Sequence, residues 1–257
     1  MTPSLSLTGR RAIVSAATSG IGRVIAETLA EAGARVEVCG VDQQKVAELR
    51  QRQPAIGATC CDLADATDTE RFFEGAVERL GGIDILINNA GIAGPIEPAE
   101  SMSLDAWNRT LAVNLTSHFV LARLAAPLMR QAGGGAIVNI SSTAGLVGDA
   151  LRSPYNASKW GVIGLAKSLA KELGPSQIRV NVVCPGFVKG DRIERVIAGE
   201  AAQTGVDREE LRARYMAHSS MGIGLLPDDI AAMILFLVSD SGKRMSGHTF
   251  VVDADAM

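Results

Sequence analysis

The chain has 257 residues, of which 47% are hydrophobic and 21% charged, and a formal net charge of −3. That length and composition suit one α/β domain with a sizeable core and exclude a disordered chain. The charges are mixed, with no run of five of one sign, which argues against a dedicated nucleic-acid binder.

In chain order, Met1 to Leu7 lacks the basic-then-apolar pattern of a signal peptide, so a cytoplasmic location is expected. Ala12–Ser15 reads as a first strand, and the small-residue turn after it leads into a helix over Gly20–Ala32. Strands at Arg35–Cys39, Gly57–Cys61, Ile83–Asn88, Ala136–Ser141, Ile178–Cys184 and His248–Asp253 follow. Helices are expected at Gln43–Gln53, Asp65–Gly81, Leu104–Gln131, Pro154–Leu173 and Pro227–Val238. The strands are short, rich in Val and Ile and mostly uncharged, as in a parallel sheet buried on both faces. Alternation of the two kinds predicts a doubly wound α/β fold: a parallel seven-stranded sheet in a single domain. Phe187 to Leu226 breaks the rhythm, with helix-spaced apolar residues and many charges, and reads as a helical lid over approximately 187–226. The most apolar run, Ile230 to Val238, is nine residues long. A membrane span needs about 20, so no membrane partner is expected. Cys39, Cys60, Cys61 and Cys184 form no C-x-x-C pair and read as reduced, buried thiols; no metal site is expected.

Four segments carry chemistry. Ser15-Ala16-Ala17-Thr18-Ser19-Gly20-Ile21-Gly22 is a glycine-bearing turn at a helix start, where free N–H groups and the helix dipole can hold a pyrophosphate. Asn88-Asn89-Ala90-Gly91 follows the fourth strand, Ser141-Ser142 the fifth, and Cys184-Pro185-Gly186 the sixth. Tyr155-Asn156-Ala157-Ser158-Lys159 opens a helix thirteen residues after Ser142. Over essentially its whole length the sequence resembles the short-chain dehydrogenase/reductases, a family of Rossmann-fold NAD(P)-dependent oxidoreductases. The resemblance implies that Tyr155 exchanges a proton with an alcohol or ketone, Ser142 holds the same oxygen, and Lys159 lowers the Tyr pKa and binds ribose. Asn114 would hold a water that links Lys159 to solvent. Ser15, Ser19, Gly20, Ile21, Gly22, Asp42, Asp62, Leu63, Asn89, Ala90, Gly91, Pro185, Gly186 and Val188, with Tyr155 and Lys159, would line the dinucleotide. Two departures stand out. The family's loop usually begins Thr-Gly where this chain has Ser15-Ala16, and its P-G-x-x-x-T run ends here in Gly190.

Elementary electrostatics supports the pairing. Ser153 and Pro154 make a good helix start, so Tyr155 lies in the first turn and Lys159, four residues on, shares its face. A phenol ordinarily titrates near 10, and acid–base work at pH 7–8 requires about 3–4 kcal/mol in favour of the phenolate. One ammonium about 4 Å away supplies about 4 kcal/mol at an effective dielectric near 20.

The second strand leads into Gly40-Val41-Asp42, with neither the acid that reads a ribose 2′-hydroxyl nor the arginine that reads a 2′-phosphate in the usual place. Asp42 lies late but could reach the ribose or cap the next helix. The reading favours NAD, with NADP as the alternative. Three functions compete: an alcohol dehydrogenase, an NADP-dependent ketoreductase of the 3-oxoacyl type, and a non-catalytic dinucleotide sensor. The second expects arginine near 19 or 41, and the third expects a lost Tyr or Lys. The substrate pocket should lie between Tyr155, 91–97, 145–152 and the lid. Arg152, Lys189, Arg192 or Arg195 could pair there with a carboxylate or sulfonate, so an acidic or a sugar-like secondary alcohol is the expected substrate, exposed salt bridging being the plainer reading of these charges. Apolar residues on more than one face of the two longest helices suggest a homodimer or homotetramer, as the resemblance also implies.

Overall fold

The computed structural model describes residues 4–217 and 219–255. Seven parallel strands form one sheet: β1 (Arg11–Val14), β2 (Arg35–Gly40), β3 (Ile56–Cys60), β4 (Ile85–Asn88), β5 (Gly135–Ile140), β6 (Ile178–Pro185) and β7 (Thr249–Val252). Their order is β3-β2-β1-β4-β5-β6-β7. The chain winds outward from β1 through β2 to β3, then returns to the other side of β1 for β4. The strand order reverses there, and open α/β sheets bind their ligands beyond such a point.

Alternate side chains of each strand feed two cores, because successive residues face opposite sides. Ala12, Val14, Ile85, Ile87, Val138 and Val183 pack with α1 (Gly20–Glu31), α2 (Gln43–Arg52) and α9 (Pro227–Val238). Ile13, Leu86, Ile137, Val182 and Cys184 pack with α3 (Ala66–Leu80), α5 (Ser117–Gln131) and α6 (Ser153–Leu173). The doubly wound arrangement read from the alternation is therefore the observed one.

Four details differ from the sequence-based expectation. The segment 104–131 is α4 (Leu104–Leu111), a single wider turn at Ala112–Thr116 of the i→i+5 type, and then α5. By length and composition this segment could span a bilayer, yet half of its most apolar stretch is packed inside the domain. Helix α6 starts at Ser153 with Arg152 in the cap position, and the Ser153 hydroxyl turns to Met102 Sδ at 3.7 Å. Finally, Cys60 is exposed, while Cys39, Cys61 and Cys184 are buried as expected; all four are free thiols.

The excursion after β6 contains α7 (Asp191–Thr204) and α8 (Arg208–Ala217). Its two ends are tied together at the root, where Val188 bridges Leu225. Lys189 N donates to Leu225 O and Leu225 N to Phe187 O, each at 2.9 Å. Phe187 stacks on Tyr215 of α8 with centroids 5.8 Å apart.

Candidate active site

Every predicted site residue except Asn114 falls at or just beyond a strand C-terminal end, or in the first two turns of the helix that follows. At the β1–α1 turn, Ala16 takes the left-handed conformation that glycine would adopt more cheaply, with φ +51°. Gly20 is also left-handed at φ +56°, and a Cβ there would meet nothing within 4 Å, so the loop opens above the start of α1. Gly22 is the opposite case: a Cβ would lie 2.3 Å from Asn89 Nδ2 and 2.7 Å from Ala16 O. Asn89 fills that space by donating to Ser15 O (3.1 Å) and Ala16 O (2.9 Å). The Ser15 hydroxyl accepts from Asn89 N (3.0 Å) and Ala90 N (3.2 Å) and is fully buried. Ser15 thus braces the loop from below. Ala90 and Leu63 are also buried. Ser19 and Gly20 are exposed at the rim and Ile21 is half-buried, with the first N–H groups of α1 beneath them. The cradle fits a dinucleotide pyrophosphate.

Gly40 stands where a ribose-reading acid is usual, because the Thr18 side chain occupies the space: a Cβ at Gly40 would lie 2.3 Å from Thr18 Oγ1. Val41 is 67% exposed. Asp42 caps α2, accepting from Gln44 N (2.9 Å) and Lys45 N (3.2 Å). The carboxylate of Asp62 is gripped by both terminal nitrogens of Arg109 on α4, at 2.9 and 3.1 Å, and also accepts from Ala64 N. An adenine amino group would join these donors rather than find a free acceptor. Pro185 ends β6; Gly186 packs on Asp253, and the half-buried Val188 forms the lid root.

Tyr155 and Lys159 sit one turn apart on α6, 6% and 1% exposed. Lys159 Nζ donates to Ile140 O at 2.9 Å, lies 5.8 Å from the Tyr155 ring centroid, and stands over Gly91, whose missing Cβ would be 3.2 Å away. Ser141 donates to Lys159 O at 2.8 Å, tying β5 to α6. Ser142 accepts from Ala144 N at 3.2 Å and is the serine that acts on the phenol. Asn114 lies in the wider turn, fully buried. Its Oδ1 accepts from Ile92 N (2.7 Å), and its Nδ2 donates to Ile92 O (3.0 Å) and Ser158 Oγ (3.1 Å). It therefore fastens the 91–97 loop to α6. Burial pushes the neighbouring His118 down to about 3, and its Nε2 bonds Ala90 O at 3.0 Å; it is a neutral strut.

Two arginines complete the site. Arg192, in the first turn of α7, donates from Nη2 to Tyr155 Oη at 3.1 Å. The Arg152 guanidinium lies 4.2 Å from the centre of the Tyr155 ring. Burial pushes the phenol up; the charges of Arg192, Lys159 and Arg152, in that order, together with Ser142, outweigh it and bring Tyr155 down to about 8. One lysine was expected to suffice. Arg192 contributes more, because it touches the phenolic oxygen while Lys159 faces the ring. Burial also pulls Lys159 down to about 8, with Tyr155 opposing. Lys189 is exposed beside the Val188–Leu225 bridge, and Arg195 lines a cavity of about 510 Å³ with Ile92, Arg109 and Val196, between the 91–97 loop and α7; neither contacts Tyr155 among the described residues.

Polar groups gathered where a parallel sheet reverses its order, around a buried and acidified phenol, define a nicotinamide-dependent oxidoreductase. A family model described as enoyl-(acyl carrier protein) reductase matches residues 15–254, and the chain belongs to the short-chain dehydrogenase/reductases. It is 33% identical to the D-beta-hydroxybutyrate dehydrogenase of Cupriavidus necator, over 96% of this chain and 97% of that one. It is 36% identical to the D-threitol dehydrogenase of Mycolicibacterium smegmatis, over 96% and 92%. Among solved structures it superposes on levodione reductase with a TM-score of 0.89 at 27% identity, covering 96% and 97% of the two chains. The protein is an NAD(P)-dependent alcohol dehydrogenase or ketoreductase.

Proposed function

We propose that the protein interconverts a secondary alcohol and its ketone, with Tyr155 as the proton carrier and NAD as the favoured dinucleotide. The observation that carries this reading is the buried phenol of Tyr155 with Lys159 one turn along and Ser142 at its oxygen. The dinucleotide, when bound, supplies the hydride acceptor or donor. The chain's residues do the rest. Tyr155 Oη takes the hydroxyl proton in oxidation and returns it in reduction. Ser142 hydrogen-bonds the same substrate oxygen and steadies its charge. Lys159, held by Ile140 O, keeps the phenol acidic and faces the ribose. Asn114, by fixing Ile92 beside Lys159, orders the route by which a water could relay the proton. The helical excursion acts as the lid, closing over the phenol through Arg192.

NAD is favoured because Ser19 and Val41 offer no cation to a 2′-phosphate, and the nearest charge in sequence, Asp42, would repel one. We infer a cytoplasmic enzyme that assembles as a homodimer or homotetramer. Tyr155→Phe should lower turnover of a secondary-alcohol panel by at least about 10²-fold while dinucleotide binding, followed by fluorescence, persists. Unchanged turnover in that variant refutes the mechanism, and a wild-type preference for NADP refutes the cofactor reading.

A further inference from the structure

We propose that the substrate is an anion, a short hydroxy acid or its oxo acid, whose carboxylate is held by Arg152 and Arg192. This rests on the dehydrogenase reading above and adds the chemical class of the substrate. The geometry points to it in three ways.

Both guanidinium groups converge on the reacting phenol from different elements, Arg152 from the cap of α6 and Arg192 from the first turn of α7. Neither forms an ion pair within 4 Å among the described residues, although eleven such pairs occur elsewhere. The carboxylates of Glu200 and Asp149 accept from Tyr215 Oη at 2.8 Å and from Asn156 Nδ2 at 3.3 Å. The buried Nε of Arg152 has no hydrogen-bond partner among the described residues. With Lys159, three cations therefore surround one phenol, an arrangement that costs desolvation and is balanced when an anion enters.

Arginine presents a planar fork of donors that matches a carboxylate, and that fork is what the pocket offers twice. Its position limits the ligand. Arg192 lies within hydrogen-bond distance of Tyr155 Oη, where the substrate oxygen must also come, so the carboxylate sits one or two carbons from the carbinol. A 2- or 3-hydroxy acid meets that demand, and a long-chain acid with a remote carboxylate does not.

The test compares matched free acids and methyl esters (lactate, glycerate, 3-hydroxybutyrate) with neutral alcohols (threitol, 2-butanol, cyclohexanol), using each dinucleotide. At least one free acid should exceed its ester in kcat/KM by about tenfold or more, as expected of a charge-assisted pair. In Arg152→Gln, Arg192→Gln and the double variant that ratio should fall toward one. An effect through Tyr155 alone would lower acid and ester together and leave the ratio intact, so a ratio unchanged in the double variant overturns the proposal. Turnover confined to neutral alcohols and esters overturns it while leaving the dehydrogenase reading standing. No turnover of either set with either dinucleotide overturns both.

Discussion

At the scale of single residues, the site turns on how the charge of Tyr155 is set. Burial works against the phenolate, and three cations work for it. Oxidation needs the phenolate, so its rate should rise with pH through about 8; reduction needs the protonated phenol and should fall above the same point. Removing a cation raises the Tyr155 pKa. Arg192→Met should therefore move both limbs to more alkaline pH, and Lys159→Met should do the same; stopped-flow profiles that stay in place would refute the electrostatic account. Tyr155, Lys159 and Ser142 were legible in the sequence because helix geometry and strand ends give them fixed spacings. Arg192 was legible only as one of four basic residues near the pocket. It lies 37 positions after Tyr155, and only the fold of the excursion brings α7 over α6. The cap role of Asp42 was readable because it acts on neighbours in the chain.

At the scale of elements, all seven strands were readable as short, mostly uncharged apolar runs, with ends displaced by a residue or two where caps and loops compete. The wider turn at 112–116 was not, since one i→i+5 step leaves the apolar pattern of the surrounding helix intact. Yet that turn carries Asn114 inward, where both ends of its amide reach Ile92. The β1–α1 turn shows the reverse situation, a departure visible in sequence whose outcome needed coordinates. Ala16 keeps the left-handed shape, so the strain is borne by the residue and the loop is retained. An alanine there costs about 1 kcal/mol relative to glycine, partly offset by the freedom glycine has when unfolded. Ala16→Gly should raise stability by about 0.5–1 kcal/mol, or about 1–3 °C in Tm by calorimetry, with dinucleotide affinity unchanged. A loss of stability would show that the loop relies on the methyl group for packing.

For the whole molecule, α4, α5 and α6 leave Leu104, Phe119 and Trp160 exposed at 76%, 47% and 52%. Large apolar side chains on adjoining helices are costly against water and suit a symmetric contact between copies. Light scattering should give a dimer or tetramer, and Trp160→Glu should shift it toward smaller species; a monomer at micromolar concentration would refute the assembly. The charge distribution has a consequence of its own. The chain as a whole is negative, yet Arg152 and Arg192 flank Tyr155, with Lys159 buried behind the ring. A small anion far away feels weak repulsion, but one reaching the opening is drawn in by a field confined to roughly a Debye length. Added salt should accordingly slow capture of acidic compounds and spare uncharged ones, which makes ionic strength a selector among metabolites competing for the same doorway.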